Sequence, residues 1–285
     1  MKPHETERAA SSADLAVPAT HNEAAPIEDL AAPPRAKSKV WMIRLASMVT
    51  VIGAWEFVGR RSNPLFLPYP TAVVKAGAAM IASGELLGAL ASSLQTVVIG
   101  FCIAATVGIV LGLLIGRYRV VDAATDWLVN ALYATPLVAV IPLVILWFGL
   151  GDLSKLFIVT ILSVFPVLIN TAAGVRNVPQ TLIDVSTAFA ANERQVFVKI
   201  ILPSAVAYMM TGLRLAIGRA IIGMVVAEFF TAITGLGALI VKYGNRYDTA
   251  SMFVPILVLM VLGILLTSLV RRAEEYFAPW RMADD

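Results

Sequence analysis

Long uninterrupted apolar runs constrain the fold of this chain more than any other feature of its sequence. A membrane-spanning helix needs about 20 mostly apolar residues. A chain with 59% hydrophobic and 14% charged residues could not bury that much apolar surface as a soluble protein. The runs also lack the period-two alternation of an outer-membrane barrel. We therefore predict an all-α, polytopic membrane protein with about six transmembrane helices. The runs lie at about 40–58, 93–115, 127–148, 154–172, 204–227 and 251–270.

The regions that flank these runs have a different composition. Residues 1–38 are rich in Ala, Pro, Ser and charge, which is typical of a disordered tail. The run over 39–59 is not preceded by the early basic patch of a cleavable signal, so we expect it to remain as the first transmembrane anchor. Residues 273–285 are expected to form a C-terminal tail.

Lysine and arginine residues near the span ends predict the orientation. With a cytoplasmic N-terminus, about eleven of them lie inside and about six outside, as the positive-inside rule requires. We therefore expect both termini, and the connection between the fourth and fifth spans, in the cytoplasm. The inside set is Arg35, Lys37, Lys39, Arg117, Arg119, Arg176, Arg194, Lys199, Arg271, Arg272 and Arg281. The outside set is Arg60, Arg61, Lys75, Lys155, Lys242 and Arg246.

Two connections on the opposite side are long enough to form structure of their own. Residues 61–93 begin with a proline cluster and continue as a predicted interfacial helix that breaks at Gly84. Residues 231–250 are too polar and too rich in glycine to span the membrane. They predict a helical turn or a half-buried re-entrant piece, because irregular backbone is tolerated at depth only inside protein.

Small residues recur at spacings of four within the second and fifth spans, which permits close helix approach. We expect ordinary packing within the helix bundle, and a contact between two copies is the alternative. The residues are Gly100, Ala104, Ala105, Gly108 and Gly112 in the second span, and Gly212, Ala216, Gly218, Ala220 and Gly223 in the fifth.

The inventory of reactive residues excludes several classes of protein. Both histidines, His4 and His21, lie in the polar N-terminal region, and Cys102 is the single cysteine. The membrane region therefore offers no His/Cys metal cluster, which argues against an intramembrane metalloprotease, a haem protein or an iron–sulfur protein. No GxxxxGK[ST] run is present, so the chain does not bind ATP by that route. No catalytic residue, metal, cofactor or nucleic-acid partner is expected.

One amphiphilic segment, DVSTAFAANERQVFVKIILPSA over 184–205, interrupts the apolar sequence. A helix over 184–199 would carry a broad apolar stripe and a polar face, with a bend near 190–192. Pro203 would then begin the next span, where its missing N–H does no harm. Such a helix suits docking into the groove of a partner, and an interfacial helix without a partner is the alternative. The stripe contains Val185, Phe189, Val196 and Ile200.

The same segment resembles the EAA loop of the permease subunits of bacterial binding-protein-dependent ABC importers. That loop reads E-A-A, three residues, G, nine residues, then I-x-L-P. Asp184 stands at the glutamate, Val185 and Ser186 at the alanines, Ala190 at the glycine, and Ile200, Leu202 and Pro203 at the final motif. The flanking stretches YATPLVAVIPLVILWFGLG (133–151) and LPSAVAYMMTGLRLAIGRAIIGMVVAEFF (202–230) resemble the subgroup that imports nitrate, sulfonates, taurine and related small compounds.

The resemblance implies a type I ABC importer permease fold in the bacterial inner membrane, with a permease core over 60–272 and a coupling loop over 176–203. It implies three partners besides the bilayer: a cytoplasmic ABC ATPase, a periplasmic or lipid-anchored solute-binding protein, and a second permease copy. Alanine at 190 lacks the free access of glycine to positive φ, so the turn is expected without strained backbone. The implied coupling residues are Asp184, Ser186, Phe189, Ala190, Asn192, Glu193, Arg194, Ile200, Leu202 and Pro203.

Two arginines lie inside the fifth span. Arg214 and Arg219 follow Pro203 by about 16 and 24 Å of helix and are about 140° apart around it. They cannot both face one narrow pore, so at least one is expected to form a structural pair. The partner would be Glu56, Asp126, Glu228 or a carbonyl group. Each arginine is a candidate for a pathway that carries an anion, and a structural ion pair is the alternative for each.

Three further residues are candidates for the pathway or for structural roles. Glu228 ends the fifth span at a helix C-terminus, which disfavours an anion, so we expect a partner cation from Lys242 or Arg246. Those two cations either hold their loop or contact the solute-binding protein. Pro136 and Pro142 are expected to kink the third span, either to frame a transport site or only for packing.

Two other functional classes remain as alternatives. A secondary transporter or channel would work without an ATPase, but the membrane region has few carboxylates and no evident inverted repeat. An intramembrane enzyme would need a nucleophile with its base, and the spans lack histidine and a clear Ser/Lys or Asp pair. A permease that forms the pathway for a small anion therefore fits the sequence best.

Overall fold

Helices make up nearly all of the regular structure. The computed structural model describes residues 37–231 and 233–277, which contain no β-strand, and the rest of the two predicted tails lies outside the described residues. A 3-10 turn (Leu137–Val140) precedes α5, and a π-turn (Phe197–Ile201) follows α8. The helices are α1 (Lys37–Arg61), α2 (Pro70–Ala82), α3 (Glu85–Arg117), α4 (Arg119–Ala134), α5 (Ile141–Phe148), α6 (Asp152–Arg176), α7 (Gln180–Ala188), α8 (Glu193–Val196), α9 (Leu202–Thr231), α10 (Leu236–Gly244) and α11 (Thr249–Phe277).

Five long apolar helices and one bent helix pair are the candidate membrane spans of the described residues. Within the described residues, α1, α3, α6, α11 and the continuous helix from Glu193 to Thr231 are each long and apolar enough to span a membrane. The pair α4 and α5, bent by 85° at its break, gives a sixth crossing when it is counted as one span. The predicted all-α membrane fold with about six spans is therefore confirmed. The last helix continues to Phe277, so part of the predicted C-terminal tail is helical.

The centre of the bundle is formed by α3, α6 and α9. Gly100 faces Val159, Gly108 faces Val167 and Gly112 faces Thr171, so α3 and α6 run parallel in close contact. Along α9 the order is reversed: Gly212 faces Asn170, and Gly223 faces Val159 and Leu162. These glycines therefore allow close packing between helices of the same chain, as expected for packing within the bundle. An added Cβ at Gly100, Gly108 or Gly112 would overlap α6, and one at Gly212 or Gly223 would make tight contacts at 3.0–3.1 Å.

The third span is broken rather than kinked. Thr135 ends α4 in an extended conformation, and Pro136 precedes the 3-10 turn. Pro142 occupies the first turn of α5, where its missing N–H breaks no helical hydrogen bond. Pro136 therefore marks the break, and Pro142 begins the helix that follows it.

The connecting segments lie at two ends of the bundle, which we call the loop end and the far end. At the loop end, residues 177–192 connect α6 to the next crossing. At the far end, residues 62–84 and 233–248 contain α2 and α10. Gly84, with φ of 77°, separates α2 from α3, which confirms the predicted break.

The chain divides by compactness into two units, residues 1–50 and 51–285. Within the second unit, the end of α1 is tied to α2. Trp55 donates to the Pro68 carbonyl at 2.9 Å, and Glu56 accepts from Arg60 at 2.6 Å and from the Thr71 amide at 3.0 Å. Glu56 was one of the expected partners for the membrane arginines, and it pairs with Arg60 instead.

We predict that Gly112→Ala destabilises the bundle. The added Cβ would lie 2.6 Å from the Thr171 Cβ and 2.7 Å from the Leu168 carbonyl oxygen, so α3 and α6 must separate. Overpacking of this kind costs about 1–3 kcal/mol. Thermal unfolding of the detergent-purified protein measures the loss. The matched control is Gly88→Ala in the same helix, where nothing lies within 4 Å of an added Cβ. Equal effects of the two substitutions would contradict the prediction.

Candidate functional site

The loop that connects α6 to the next crossing contains a sharp turn, not one helix over 184–199. Helix α7 ends at Ala188, and Ala190 takes a positive φ of 49°. Asn192 then caps α8: its side chain accepts from the Gln195 amide at 2.9 Å, and its own amide donates to the Gln195 side chain at 2.9 Å. The bend near 190–192 is confirmed. The expectation of unstrained backbone at Ala190 was wrong, because this alanine adopts the left-handed conformation that glycine adopts freely.

The turn splits the predicted apolar stripe into two parts. Val196 and Ile200 pack with Val175 and Val178 in a small core at the loop end, together with Ile183 from α7. The α7 part faces away from this core. We call its exposed surface the loop patch, which consists of Leu182 (45% exposed), Val185 (55%) and Phe189 (84%). The stripe was predicted as one surface, and the chain reversal at Ala190 separates its halves.

The polar residues of the loop lie on both sides of the turn at Ala190. Asp184 is exposed and accepts from the Gln180 side chain at 3.0 Å. Ser186 is buried and donates to the Ile183 carbonyl at 2.6 Å, so it fixes the local backbone. Glu193 forms an exposed ion pair with Arg117 at 3.6 Å, and Arg194 is exposed next to it.

The loop is joined to the following span without a break. The helix runs continuously from Glu193 to Thr231, so Pro203 lies inside it and does not begin it. Proline cannot donate a backbone hydrogen bond. The π-turn directly before it widens the helix, and the Leu202 amide donates to the Phe197 carbonyl within that turn. Leu202 packs on the same core as Ile200. The part of the loop after the turn is therefore continuous with α9.

The two arginines of α9 have different surroundings. Arg214 lies 3.3 Å from Glu274 of α11, a partner that was not among those expected. Arg219 is exposed, and among the described residues no carboxylate lies within 4 Å of it. It lies on the same helix face as four large exposed side chains, Tyr208, Leu215, Ile222 and Phe229. We call this face, with Arg219, the α9 stripe.

Glu228 is the centre of a buried polar cluster at the far end. Its carboxylate accepts from the Ser93 hydroxyl at 2.7 Å and from the Gly237 amide at 2.8 Å. The Ser93 oxygen in turn accepts from the Leu236 amide at 2.8 Å. Lys155 is also buried, donates to Thr234 at 2.6 Å and lies 2.9 Å from Asp152. These contacts fasten the segment before α10 to α3, α6 and α9.

The cations expected to pair with Glu228 lie elsewhere. Lys242 forms an ion pair with Glu85, and Tyr243 donates to the same carboxylate at 2.7 Å. This hydrogen bond raises the pKa of Tyr243 to about 12, because it is lost when the phenol ionises. Arg246 forms no ion pair within 4 Å among the described residues. Lys242 therefore holds its loop against the start of α3, and the prediction that it pairs with Glu228 was wrong.

Sequence reasoning missed three of these residues. Lys155 counted only as one of the outside cations, Ser93 as the start of an apolar run, and Glu274 as part of a polar tail. No local pattern marks a lysine or serine as buried, because burial depends on the packing of α6 and α3 against α10. Glu274 could have been found from the sequence. If the last span is extended by one helical turn, its carboxylate becomes a possible partner for Arg214 in α9.

The described part of the chain contains no group of three or more His, Cys, Asp or Glu side chains that could hold a metal ion. The features that remain for function are the loop patch, the α9 stripe and the surfaces of the far end.

Comparison with known proteins identifies the class of protein to which these features belong. The family described as binding-protein-dependent transport system inner membrane component matches residues 108–279. The chain belongs to this family and is a multi-pass permease of the ABC transporter type.

Three similar proteins illustrate the match. A Bacillus subtilis protein named as an aliphatic sulfonates transport permease, SsuC, is 33% identical over 250 residues, covering 87% of this chain and 91% of that protein. The nitrate import permease NrtB of Leptolyngbya laminosa is 34% identical over 181 residues, which cover 64% of this chain and 65% of that protein. An inward-facing structure of the methionine ABC transporter MetNI matches 68% of this chain and 94% of that chain, with TM-score 0.54 and 20% identity. This last match concerns the fold alone.

We predict that Ala190→Gly stabilises the loop. Glycine relieves a left-handed conformation that costs an alanine about 1 kcal/mol. Hydrogen exchange of the amides of residues 186–192 measures the effect and should slow. The control is Ala191→Gly, a neighbouring position without positive φ, where the added backbone freedom should speed exchange. Faster exchange in Ala190→Gly would contradict the prediction.

We predict that Glu228→Ala destabilises the protein by about 3 kcal/mol, because it leaves the Ser93 hydroxyl and the Gly237 amide buried without an acceptor. Thermal unfolding gives the size of the loss, and hydrogen exchange over 235–240 reports the release of the loop. Glu275→Ala, which removes an exposed ion pair with Arg271, is the control and should cost less than about 1 kcal/mol. A loss in Glu228→Ala no larger than the control would refute the anchoring role.

Proposed function

We propose that this protein forms the membrane pathway of an ABC importer for a small anionic solute and is driven by a separate cytoplasmic ATPase docked on the loop patch. The observation that carries the proposal is the exposure of Phe189 and Val185 on a loop joined rigidly to α9. An exposed apolar patch on an ordered helix marks a contact surface. Docking of an amphipathic helix into a partner's groove is a common mode of recognition.

The coupling residues divide into three roles: contact with the ATPase, shape of the turn and connection to α9. Phe189 and Val185 provide apolar contact with the ATPase, and Asp184 provides a charge at the edge of that contact. Ser186, Ala190 and Asn192 fix the shape of the turn, while Ile200, Leu202 and Pro203 connect it to α9. ATP-driven movement of the ATPase would then tilt α9 and alternate the access of the pathway, since ligand-driven switches act on packed, bistable elements.

The α9 stripe is the proposed wall of the pathway. An arginine at the centre of a span costs at least about 2.5–3.5 kcal/mol to insert and therefore faces water or protein. Arg219 has no carboxylate partner in the described part of the chain, so we place the stripe against a second copy of the permease. The cavity between the two copies would present two guanidinium groups. The sulfonate and nitrate permeases similar to this chain transport anions, which supports the same solute class.

The far end is the proposed landing surface for a solute-binding protein. A cleft of about 540 Å³ there contains the cations Arg60 and Lys75 and the anion Asp248. Binding of a solute-binding protein there requires the far end to be outside the cell and the loop end inside, which is the orientation that the distribution of lysine and arginine predicts. We accordingly place both termini in the cytoplasm, with the permease core at 60–272 and the coupling loop at 176–203.

We predict that Phe189→Asp abolishes assembly with the cognate ATPase. The substitution places a charge at the centre of the loop patch while leaving the fold intact, because this side chain is 84% exposed. Co-purification of the two subunits and ATP-dependent uptake into proteoliposomes measure the effect. Tyr276→Asp, at an exposed aromatic residue on α11, is the control and should assemble normally. Unchanged uptake by Phe189→Asp, or uptake without any ATPase, would favour the secondary-transporter alternative.

We predict that Arg219→Gln lowers anion uptake at least about tenfold without loss of assembly, because it removes the charge that attracts the solute. Initial uptake rates at several solute concentrations measure the change. Arg219→Lys keeps the charge and should retain part of the uptake. Arg214→Gln is a contrasting variant, since it breaks the ion pair with Glu274 and should lower thermal stability. Full uptake by Arg219→Gln would exclude Arg219 from the pathway.

A further inference from the structure

A cavity of about 260 Å³ lies at the loop end, between the last turn of α3 and the start of the helix that contains α8 and α9. It is separate from the loop patch and from the α9 stripe. Residues from the two helices line it in comparable numbers. They are Leu113, Leu114, Arg117, Tyr118, Glu193, Arg194 and Phe197.

The polar side of the cavity carries net positive charge. Arg117 and Arg194 come from different helices, and Glu193 is the single acid among the lining residues. Glu193 is 90% exposed and lies 3.6 Å from Arg117, so this ion pair is weak and leaves the guanidinium available. Among the described residues, Arg194 has no carboxylate within 4 Å. Two guanidinium groups converging on one space favour a phosphate, which they bind through several charge-assisted hydrogen bonds.

The apolar side of the cavity continues along the outside of α3. Leu113 and Phe197 belong to the packed core of the loop end, whereas Leu114 is exposed. Leu114 begins an exposed stripe with Val110, Val107 and Ile103, at spacings of four, three and four residues. The stripe is about 16 Å long. That length matches half of a hydrocarbon core of about 30 Å.

We propose that this cavity binds the headgroup of an anionic phospholipid. Its phosphate lies between Arg117 and Arg194, and one acyl chain follows the stripe from Leu114 to Ile103. Both arginines lie where an apolar helix meets the exposed loop, and we place the lipid headgroups at this level. A free phosphate would use the arginines but gain nothing from the apolar stripe, so the continuous apolar surface favours the lipid as the source of the phosphate.

The proposal is tested by lipid binding to the permease alone, so its outcome is independent of ATPase coupling and solute transport. Native mass spectrometry of the detergent-purified protein compares phosphatidylglycerol with phosphatidylcholine of the same acyl chains. We expect about tenfold tighter binding of phosphatidylglycerol, from two cations at the membrane surface. The double variant Arg117→Gln/Arg194→Gln should remove this preference. Glu193→Gln should strengthen it, because the competing carboxylate is gone.

A control separates a defined site from general surface charge. Arg119→Gln/Lys199→Gln removes two exposed cations from the same end that do not line the cavity, and should change the preference less than about twofold. Leu114→Asn should weaken phosphatidylglycerol binding while leaving both arginines in place. Equal effects of the two double variants, or no preference in the unmodified protein, would overturn the proposal. Displacement of the lipid by millimolar inorganic phosphate would overturn the choice of a lipid over a free ion.

Discussion

The close approach of α3, α6 and α9 is the constraint on which the rest of the structure depends. Lipid offers no hydrophobic force between helices, so these three associate through direct contact of backbone with side chain, which the glycines at 100, 108, 112, 212 and 223 permit. With this core fixed, the far end can bury Glu228 and Lys155 between several helices. The loop end can seat the packed half of its connection on the start of α9.

The connection at the loop end combines a rigid base with an exposed surface. Its rigidity comes from the capping box at Asn192, the buried hydroxyl of Ser186 and the continuous helix through the π-turn. Its exposure comes from the reversal at Ala190, which turns Phe189 away from the core. A flexible loop would deform when a partner displaced it. A loop with Phe189 packed inward would offer a partner no apolar contact surface.

Three charged groups inside the membrane region are satisfied by contacts within the chain. Arg214 pairs with Glu274, Lys155 with Asp152, and Glu228 accepts hydrogen bonds from Ser93 and Gly237. Each contact offsets the cost of removing a charge from water. Arg219, by contrast, has no carboxylate within 4 Å among the described residues. Its position beside large exposed side chains on the same helix face is the physical basis for placing it in a pathway shared by two copies.

The sequence by itself determined the class of structure, because hydrocarbon admits only helices whose backbone groups are satisfied internally, and long apolar runs reveal them. It also located the break at Gly84, the bend near 190–192 and, by resemblance, the family, since these depend on local residues and their spacing. Only the tertiary structure decided which side chains meet. The left-handed Ala190 and the split of the apolar stripe arise in a local turn, whereas the pairing of Arg214 with Glu274 and the burial of Lys155 and Glu228 depend on residues distant in the chain. Contacts of that kind follow from how helices pack, and no single helix encodes them.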